Sequence, residues 1–260
     1  MTKKDKYISI VFSICVLMFV YLFEEIPELA TNILLLLVAI LIITLSIHIY
    51  RNIRDRKLIK TVTGLKRGTR SERKLILKLL KLGIPAEAIF HDLYLQKPNG
   101  EYSQIDLVAI VDAGIIVFEV KDYSGWIFGS GNQYKWTQVL AYGNQKHRFY
   151  NPIKQNISHI IALKQKLNHL GDIPYYSVIL FDGDCVIKKL DFVPYGTEVA
   201  KFKQLHHIIK DITDSQGYVK HTIRDQITTL LKEAVINGDD KEIINQHITN
   251  IRERFGNDDY

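Results

Sequence analysis

Hydrophobic positions are spread unevenly along the 260-residue chain, and two long apolar runs open it. Residues 7–23 and 29–49 contain no Asp, Glu, Lys or Arg. A helix rises ~1.5 Å per residue, so each run is about long enough to cross a hydrocarbon layer of ~30 Å, the first only just. Residues 24–28 between them include three glutamates and a proline. The pattern predicts an anchor over residues 1–50, made of two transmembrane helices joined by a short acidic loop.

Basic residues around the two runs predict how the anchor is oriented. Lys3, Lys4 and Lys6 precede the first run, five basic residues fall within 51–60, and the intervening loop has none. The positive-inside rule then puts both termini and the rest of the chain in the cytoplasm, with the protein in the cell membrane. A cleaved signal peptide is the alternative for the first run. However, no small-x-small cleavage site follows it, and the second run comes at once.

After residue 66 the pattern changes to short helical and β-strand periods. Apolar residues at helical spacing predict amphipathic helices, and alternating or continuous apolar stretches predict strands. We therefore predict an α/β fold, a mixed sheet of four to five strands flanked by helices, over residues 67–200. A basic linker (51–66) precedes it and a helical C-terminal extension (201–260) follows, with a frayed end from residue 255. Predicted helices cover residues 71–82, 152–170 and three stretches after 202; predicted strands cover 89–95, 105–111, 115–121, 126–128, 134–139, 175–181 and 186–192.

The most informative stretch is the predicted hairpin within residues 101–125. Alternation around Phe118-Glu119-Val120-Lys121 puts the two charged side chains on one strand face. Asp106 shares that face if Ile110 lies opposite Ile115, with residues 111–114 as a four-residue loop. A slip of one residue would turn Asp106 to the other face.

Two carboxylates and a lysine on one face suit metal-dependent phosphodiester chemistry. Carboxylate oxygens are hard ligands that fit Mg²⁺ or Mn²⁺. A nearby lysine can orient the attacking water or neutralise charge that builds up on phosphate. The E-x-K pattern by itself is also found on ordinary strands that carry a surface Glu/Lys pair. Neighbouring motifs are therefore needed to decide between the two interpretations.

Several such motifs occur in order along the chain. They are S-Q-I-D at 103–106, E-V-K-D-Y-S-G at 119–125, W-T-Q at 136–138 and N-P-I-K-Q-N at 151–156. Together they resemble the NERD family, the nuclease-related domain, over about residues 64–190. A G-x-x-G-E motif of that family is matched at residues 68–72, with Ser71 where a glycine is usual and Glu72 kept. The family is placed in the PD-(D/E)xK nuclease superfamily, so the resemblance implies a restriction-endonuclease-like fold.

The resemblance also implies roles for individual residues. Asp106 and Glu119 would bind the metal, Lys121 would be catalytic, and Glu72 would support the metal or the water. Gln155 would contact the scissile phosphate or the water, although a helix-surface glutamine is the alternative. Gln104 precedes Asp106 by two and faces the same side, with the same two interpretations. The expected function is a membrane-anchored, Mg²⁺- or Mn²⁺-dependent nuclease acting on DNA. The alternative is a non-catalytic module at the membrane that binds nucleic acid or protein.

Other polar and aromatic residues near these motifs have two interpretations each. A basic loop at 146–148 (Lys146, His147, Arg148) either grips phosphates or is a solvated cluster. His159 lies one helical turn from Gln155 and either faces the site or is structural. Packing is the favoured interpretation over base stacking for four aromatic residues: Tyr123, Trp126, Tyr134 and Trp136.

Charge and cysteine content add little to this interpretation. The net charge of +6 and pI of about 9.1 come in good part from the basic cluster beside the apolar runs. Topology and anionic lipid explain that cluster, so it does not argue for nucleic acid. Cys15 lies in an apolar run and Cys185 in a predicted strand region, and a cytosolic location argues against a disulfide. No C-x-x-C or H-E-x-x-H supports a zinc site.

Overall fold

A computed structural model describes residues 3–23, 28–140, 143–215 and 217–255. The chain divides into two compact units, of which the first ends at Asp55 and the second begins at Arg56. The C-terminal end was predicted to be frayed from residue 255, and residues 256–260 lie outside the described residues.

The first unit is helical. Helix α1 spans Lys3–Phe23, and helix α2 spans Glu28–Lys60 and so continues through the first ten residues of the predicted linker. Within the described residues, Thr31–Lys60 is long and apolar enough to cross a membrane, whereas Ser9–Val20 of α1 is a shorter apolar stretch. The structure thus contains one helix of spanning length and does not establish the predicted two-span hairpin. Most of the predicted acidic loop, residues 24–27, lies outside the described residues.

The second unit is built on a five-stranded mixed sheet, which confirms the predicted α/β fold. The strands lie in the order β1-β2-β3-β7-β9. The first three are antiparallel neighbours, and β7 and β9 run parallel to β3. The continuous apolar run at 175–181 is the inner strand β7, as predicted. Strand bounds in this sheet are β1 Ile89–Gln96, β2 Tyr102–Val111, β3 Gly114–Asp122, β7 Tyr175–Asp182 and β9 Thr197–Lys201.

The predicted register of the central hairpin is confirmed, but its turn is tighter than predicted. Ile110 pairs with Ile115, as expected. Val111 also pairs with Gly114, so only residues 112 and 113 form the turn rather than the four residues 111–114. Gly114 has a φ of 154° and lies against the carbonyl of Pro174, where a Cβ would overlap it. This close approach lets the strand begin directly after the two-residue turn.

A second sheet of four strands lies in the order β6-β5-β4-β8. The predicted strands at 126–128 and 134–139 correspond to β4 and β5, which pair in antiparallel fashion. The predicted basic loop at Lys146, His147 and Arg148 is wrong, because these residues form the edge strand β6 against β5. A run of polar residues at a sheet edge has no apolar alternation, so its strand character is hidden in the sequence. Strand bounds are β4 Trp126–Gly129, β5 Lys135–Leu140, β6 Gln145–Tyr150 and β8 Val186–Leu190.

Among the described residues of the second unit, five α-helices pack around the sheets. Thr69 caps α3, because its hydroxyl accepts a hydrogen bond from the backbone nitrogen of Glu72. Asn151 caps α4 in the same way through Ile153. On α4, Ile161 was expected to point inward but is 50% exposed. The three apolar stripes predicted after residue 202 are three helices. The bounds are α3 Arg70–Lys81, α4 Pro152–Leu167, α5 Leu205–Thr213, α6 His221–Asn237 and α7 Lys241–Phe255.

Candidate functional site

Asp106 and Glu119 are brought together where the central hairpin opens. The pairing of β2 with β3 runs from Val111 to Leu107, which is opposite Phe118. The next residues on the two strands are Asp106 and Glu119, and alternation puts both on one face. At this point Asp106 Oδ2 accepts a hydrogen bond from the backbone nitrogen of Val120 at 2.8 Å. Both carboxyl groups are buried, with Glu119 1% exposed and Asp106 8% exposed.

Lys121 connects this strand face to helix α4. Its Nζ lies 2.7 Å from Glu119 Oε1, which is an ion pair. The same Nζ donates a hydrogen bond to Gln155 Oε1 at 3.1 Å. Four of the six predicted site residues (Asp106, Glu119, Lys121 and Gln155) therefore lie together, and Gln155 faces this group rather than solvent alone.

His159 also lies in this group, which agrees with the interpretation that it faces the site rather than with that of a purely structural histidine. Its Nε2 lies 3.3 Å from Glu119 Oε2, and its Nδ1 shares a hydrogen bond with Ser103 Oγ at 3.0 Å. His159 Nε2 and Glu119 Oε2 are both buried, and neither atom makes a hydrogen bond. The i, i+4 spacing from Gln155 was the signal that pointed to His159. Nothing in the sequence singled out Ser103 as its partner.

The two carboxyl groups have opposite pKa shifts. Burial, followed by the nearby charges of Glu119 and Glu72, raises the pKa of Asp106 well above its ordinary value. Burial also works to raise the pKa of Glu119, but Lys121 and His159 outweigh it and lower that pKa. Glu119 and Asp106 in turn outweigh burial and raise the pKa of Lys121. Glu119 and Lys121 thus form a charged pair beside a carboxyl group whose pKa is raised.

Glu72 lies close to the pair but is held by other residues. His91 pairs with Leu107, the neighbour of Asp106 along β2, so His91 and Asp106 point to opposite faces of the sheet. Glu72 Oε2 lies 2.9 Å from His91 Nε2, and Glu72 Oε1 accepts a hydrogen bond from Thr69. Burial would raise the pKa of Glu72, but these contacts lower it. Its charge nevertheless reaches Asp106, whose pKa it helps to raise.

The G-x-x-G-E motif has a visible structural reason in this region. Gly68 has a φ of 63°, and a Cβ there would overlap Glu72 Oε2 and the ring of His91. His91 Nδ1 in turn shares a hydrogen bond with Thr63 Oγ1 at 2.9 Å. Ser71, where a glycine is usual, donates to Asp122 and Asp182 at 2.9 and 3.0 Å. The serine therefore ties α3 to the ends of β3 and β7.

Gln104 reaches the site through a cavity. Its amide nitrogen donates to Asp92 Oδ1 at 3.2 Å. It also lines a cavity of about 300 Å³ together with Lys121, Gln155 and His159. The sequence did not predict this cavity, because part of its wall comes from helix α7, whose lining residues lie more than 120 residues after Lys121.

The aromatic residues near the site differ in environment. Trp136 is fully buried and stacks on Phe181 with ring centroids 6.1 Å apart, as expected for a core residue. Tyr123 packs on Phe149 at 4.6 Å. Trp126 and Tyr134 are 37% and 54% exposed, so the expectation that they pack in the core is not met. Lys188 lies over the Trp126 ring, 4.9 Å from its centroid.

The chemistry of the donor set fits a hard divalent cation. Asp106 and Glu119 are buried carboxyl groups on one strand face, and Glu119 Oε2 accepts no hydrogen bond although His159 Nε2 lies 3.3 Å away. A cation would favour the ionised form of both carboxyl groups. Mg²⁺ in phosphoryl sites commonly takes one or two carboxylates and completes its shell with water and substrate oxygens. Two carboxylates are all that this site offers: among the described residues, no group of three or more His, Cys, Asp or Glu could hold a metal ion.

Comparison with known proteins agrees with the motifs. The family model described as the nuclease-related domain, NERD, matches residues 67–182. A protein of Bacillus anthracis, itself described as uncharacterized, is 28% identical over 183 residues. That alignment covers 70% of this chain and 82% of the relative. No solved structure matches the chain. Residues 67–182, which hold all the predicted site residues, therefore match the nuclease-related domain family.

Proposed function

We propose that this protein is a membrane-anchored, divalent-metal-dependent nuclease that hydrolyses phosphodiester bonds in DNA. One observation carries the proposal: Asp106, Glu119 and Lys121 converge on one strand face and are joined to Gln155 of α4. A binding surface for phosphate gains nothing from two buried carboxylates, since they repel the ligand unless a cation is present. The nuclease-related domain supports the reaction class.

Each residue has a role in this proposal. Asp106 and Glu119 would hold Mg²⁺ or Mn²⁺, with the Val120 carbonyl as a further oxygen. When bound, the ion supplies charge stabilisation and lowers the pKa of a water molecule. Lys121 orients that water or neutralises charge on the phosphate.

The remaining predicted residues act around this centre. Gln155 holds the Lys121 ammonium and points toward the phosphate. Gln104 lies on the substrate side, in the cavity. Glu72 acts at longer range through its negative charge, and His91 keeps it ionised. His159 supports Glu119 from the side opposite Lys121.

The core of the second unit and the two N-terminal helices also have places in the proposed function. The arrangement of β1, β2, β3 and β7 with α3 and α4 is what we expect of a restriction-endonuclease-like core. Helices α1 and α2 would form a two-span hairpin in the cell membrane with both termini cytoplasmic. The apolar stretch Thr31–Lys60 and the basic residues on both flanks support this arrangement.

A second function is a non-catalytic module that binds nucleic acid or protein at the membrane. It is favoured by one specific observation, that Lys121 already neutralises Glu119 at 2.7 Å and no third acidic, histidine or cysteine ligand joins them within the described residues. Such a module would bind its ligand with or without a divalent ion and would never cut DNA.

The deciding experiment is a cleavage assay on the full chain in detergent micelles. Plasmid and linear DNA are incubated with Mg²⁺, Mn²⁺ or EDTA, alongside the Asp106→Asn and Glu119→Gln variants. We expect cleavage with the metals, none with EDTA and none in either variant. A wild-type chain that binds DNA but never cuts it with Mg²⁺, Mn²⁺ or Co²⁺ would replace the nuclease by the binding module.

A further inference from the structure

The cavity next to Lys121 combines flat rings with hydrogen-bonding side chains. Its volume is about 300 Å³, which is at the small end of the range for pockets that hold a single small molecule. Tyr102, Tyr123 and Tyr150 line it, together with the polar residues Gln104, Ser158 and Asn250. Aromatic rings stack on any nucleobase, and amides and hydroxyls can hydrogen-bond to a base edge. A lining of this kind matches a planar heterocycle better than an extended apolar chain.

One wall of the cavity comes from outside the nuclease-related domain. His247, Asn250 and Ile251 belong to helix α7, whereas the matched segment ends at residue 182. The helix is held to β2, because His247 Nδ1 lies 2.9 Å from the Tyr102 carbonyl. The Tyr94 ring meets the His247 ring edge-on with centroids 5.5 Å apart. Helix α7 therefore closes one side of a space next to Lys121 that residues 67–182 by themselves would leave open.

A basic strand leads away from the cavity. Tyr150, which lines it, is the last residue of β6. Lys146 and Arg148 precede Tyr150 by four and two residues and so share its strand face, and both are exposed. Cationic side chains along one strand face offer successive contacts to a phosphate backbone. The strand that ends at the cavity thus offers a path that suits a nucleic acid strand.

From these features we propose that the cavity takes the base of one unpaired nucleotide, so that the site acts on single-stranded or frayed nucleic acid. This inference rests on the proposed function only in placing the phosphate at Lys121. A base inside a duplex is stacked and paired, and it enters an enclosed pocket only after it is extruded, at a cost of a few kcal/mol. A single strand presents its bases without that cost.

Binding measured apart from cleavage tests this proposal. The full chain in detergent micelles carries Asp106→Asn to prevent cutting, and fluorescence anisotropy is recorded in EDTA. Fluorescein-labelled 15-mers are offered as single-stranded DNA, single-stranded RNA and blunt duplex DNA. Ser158→Trp and Asn250→Trp fill the cavity from two different helices. Gln165→Trp is the matched control, since Gln165 is an exposed residue two turns further along α4 that does not line the cavity.

We expect single strands to bind at least about tenfold more tightly than the duplex, as one stacked base allows. Both filling variants should reduce this preference to about twofold or less, while the control keeps it. RNA that binds as well as single-stranded DNA also supports the pocket, because base stacking does not depend on the sugar. Equal affinity of the Asp106→Asn parent for single strands and duplex would overturn the proposal. So would an unchanged preference in both filling variants.

Failure of this inference is separable from failure of the proposed nuclease. A wild-type chain that prefers single strands but cuts nothing with any metal keeps the pocket and rejects the enzyme. A wild-type chain that cuts duplex and single strands equally keeps the enzyme and rejects the pocket. Thermal melting of each tryptophan variant checks folding, and the comparison of strands in the parent needs no cavity substitution.

Discussion

Lys121 and Gln155 are 34 residues apart in sequence, yet the Lys121 ammonium donates a 3.1 Å hydrogen bond to the Gln155 amide oxygen. This contact joins strand β3 to the first turn of helix α4. The contact holds the Lys121 side chain in place, because its ammonium is also paired with Glu119 on the same strand. A cation held by two partners is pre-organised before any substrate arrives, which is a property that a site stabilising developing negative charge requires.

Replacing Lys121 separates catalysis from binding. We expect Lys121→Ala to lower kcat by several orders of magnitude while DNA affinity changes little. A group that acts on the water or on developing charge works mainly in the transition state. One lysine among many basic residues changes the slope of log K for DNA binding against log salt concentration by at most about one.

The measurements are single-turnover cleavage and fluorescence anisotropy on the same proteins. The control is Lys232→Ala, an exposed lysine on α6. A loss confined to affinity, with cleavage per bound complex unchanged, would assign Lys121 to binding.

Removing the charge of Asp106 should stabilise the protein when no metal is present. The folded-state pKa of Asp106 is raised, so its carboxyl group favours folding below its unfolded pKa of about 3.9 and loses that contribution as pH rises. At pH 7 in EDTA, Asp106→Asn should therefore raise Tm, by about 2–4 °C for each kcal/mol of relief in a chain of this size. Asparagine still accepts the hydrogen bond from Val120.

Added Mn²⁺ should reverse the order of the two Tm values, that of the wild type and that of Asp106→Asn. It should raise Tm of the wild type and leave the variant unchanged, because ligand bound only to the folded state stabilises it. Differential scanning fluorimetry in both conditions measures the effect, and Asp191→Asn, an exposed surface site, is the control. A lower Tm for Asp106→Asn in EDTA would contradict the raised pKa of Asp106 and its assigned cause, the burial of the carboxyl group beside Glu119 and Glu72.

Two glycines near the start of α3 offer a matched pair. Gly68→Ala should destabilise the second unit by roughly 1–3 kcal/mol, because a Cβ at positive φ would overlap Glu72 and His91. Gly64→Ala meets no atom within 4 Å, so we expect it to change stability by less than about 0.5 kcal/mol. Urea denaturation of both variants gives the comparison. Equal midpoints would show that Glu72 and His91 move aside without cost.

Acid should loosen helix α7. Burial, followed by the nearby charges of His159 and Lys97, lowers the pKa of His247, although the Tyr102 carbonyl opposes the shift. The unfolded state then binds more protons as pH falls below the ordinary value of about 6.5, so stability declines between that pH and the lower folded-state pKa.

Hydrogen exchange of residues 241–255 at pH 7.5 and 5.5 measures this effect. After correction for the intrinsic chemical rate at each pH, the protection of α7 should be lower at pH 5.5. His247→Gln should remove most of the difference, whereas His221→Gln, at an exposed position on α6, should not. Protection of α7 that is independent of pH in the wild type would reject the role of His247.

The orientation of the anchor is testable in whole cells. We expect a cysteine introduced by Tyr195→Cys in a Cys15→Ser background to resist a membrane-impermeant maleimide until cells are opened. Tyr195 is fully exposed, so access by the reagent depends on the membrane alone. The basic residues on both flanks of the apolar runs are the reason for a cytoplasmic location. Labelling of intact cells at this position would reverse the topology.

The α/β class and the hairpin that carries Asp106, Glu119 and Lys121 could be predicted from the sequence alone. Alternation leaves two possible faces for Asp106, and the structure has the register, Ile110 opposite Ile115, that puts it on the face of Glu119. Helix α3 and the three C-terminal helices were also readable from their regular apolar spacing, and the inner strand β7 from its continuous apolar run.

Tertiary structure decided what that spacing cannot show. The edge strand β6 is held by backbone pairing with β5, which leaves no trace in the order of its polar side chains. Strand β9 was likewise missed, and it is specified by its pairing with β7. Contacts of His159 with Glu119, of His91 with Glu72 and of α7 with Tyr102 join residues far apart in sequence. Local pattern records only which side of an element is apolar; the packing of elements decides which polar groups meet on the other side.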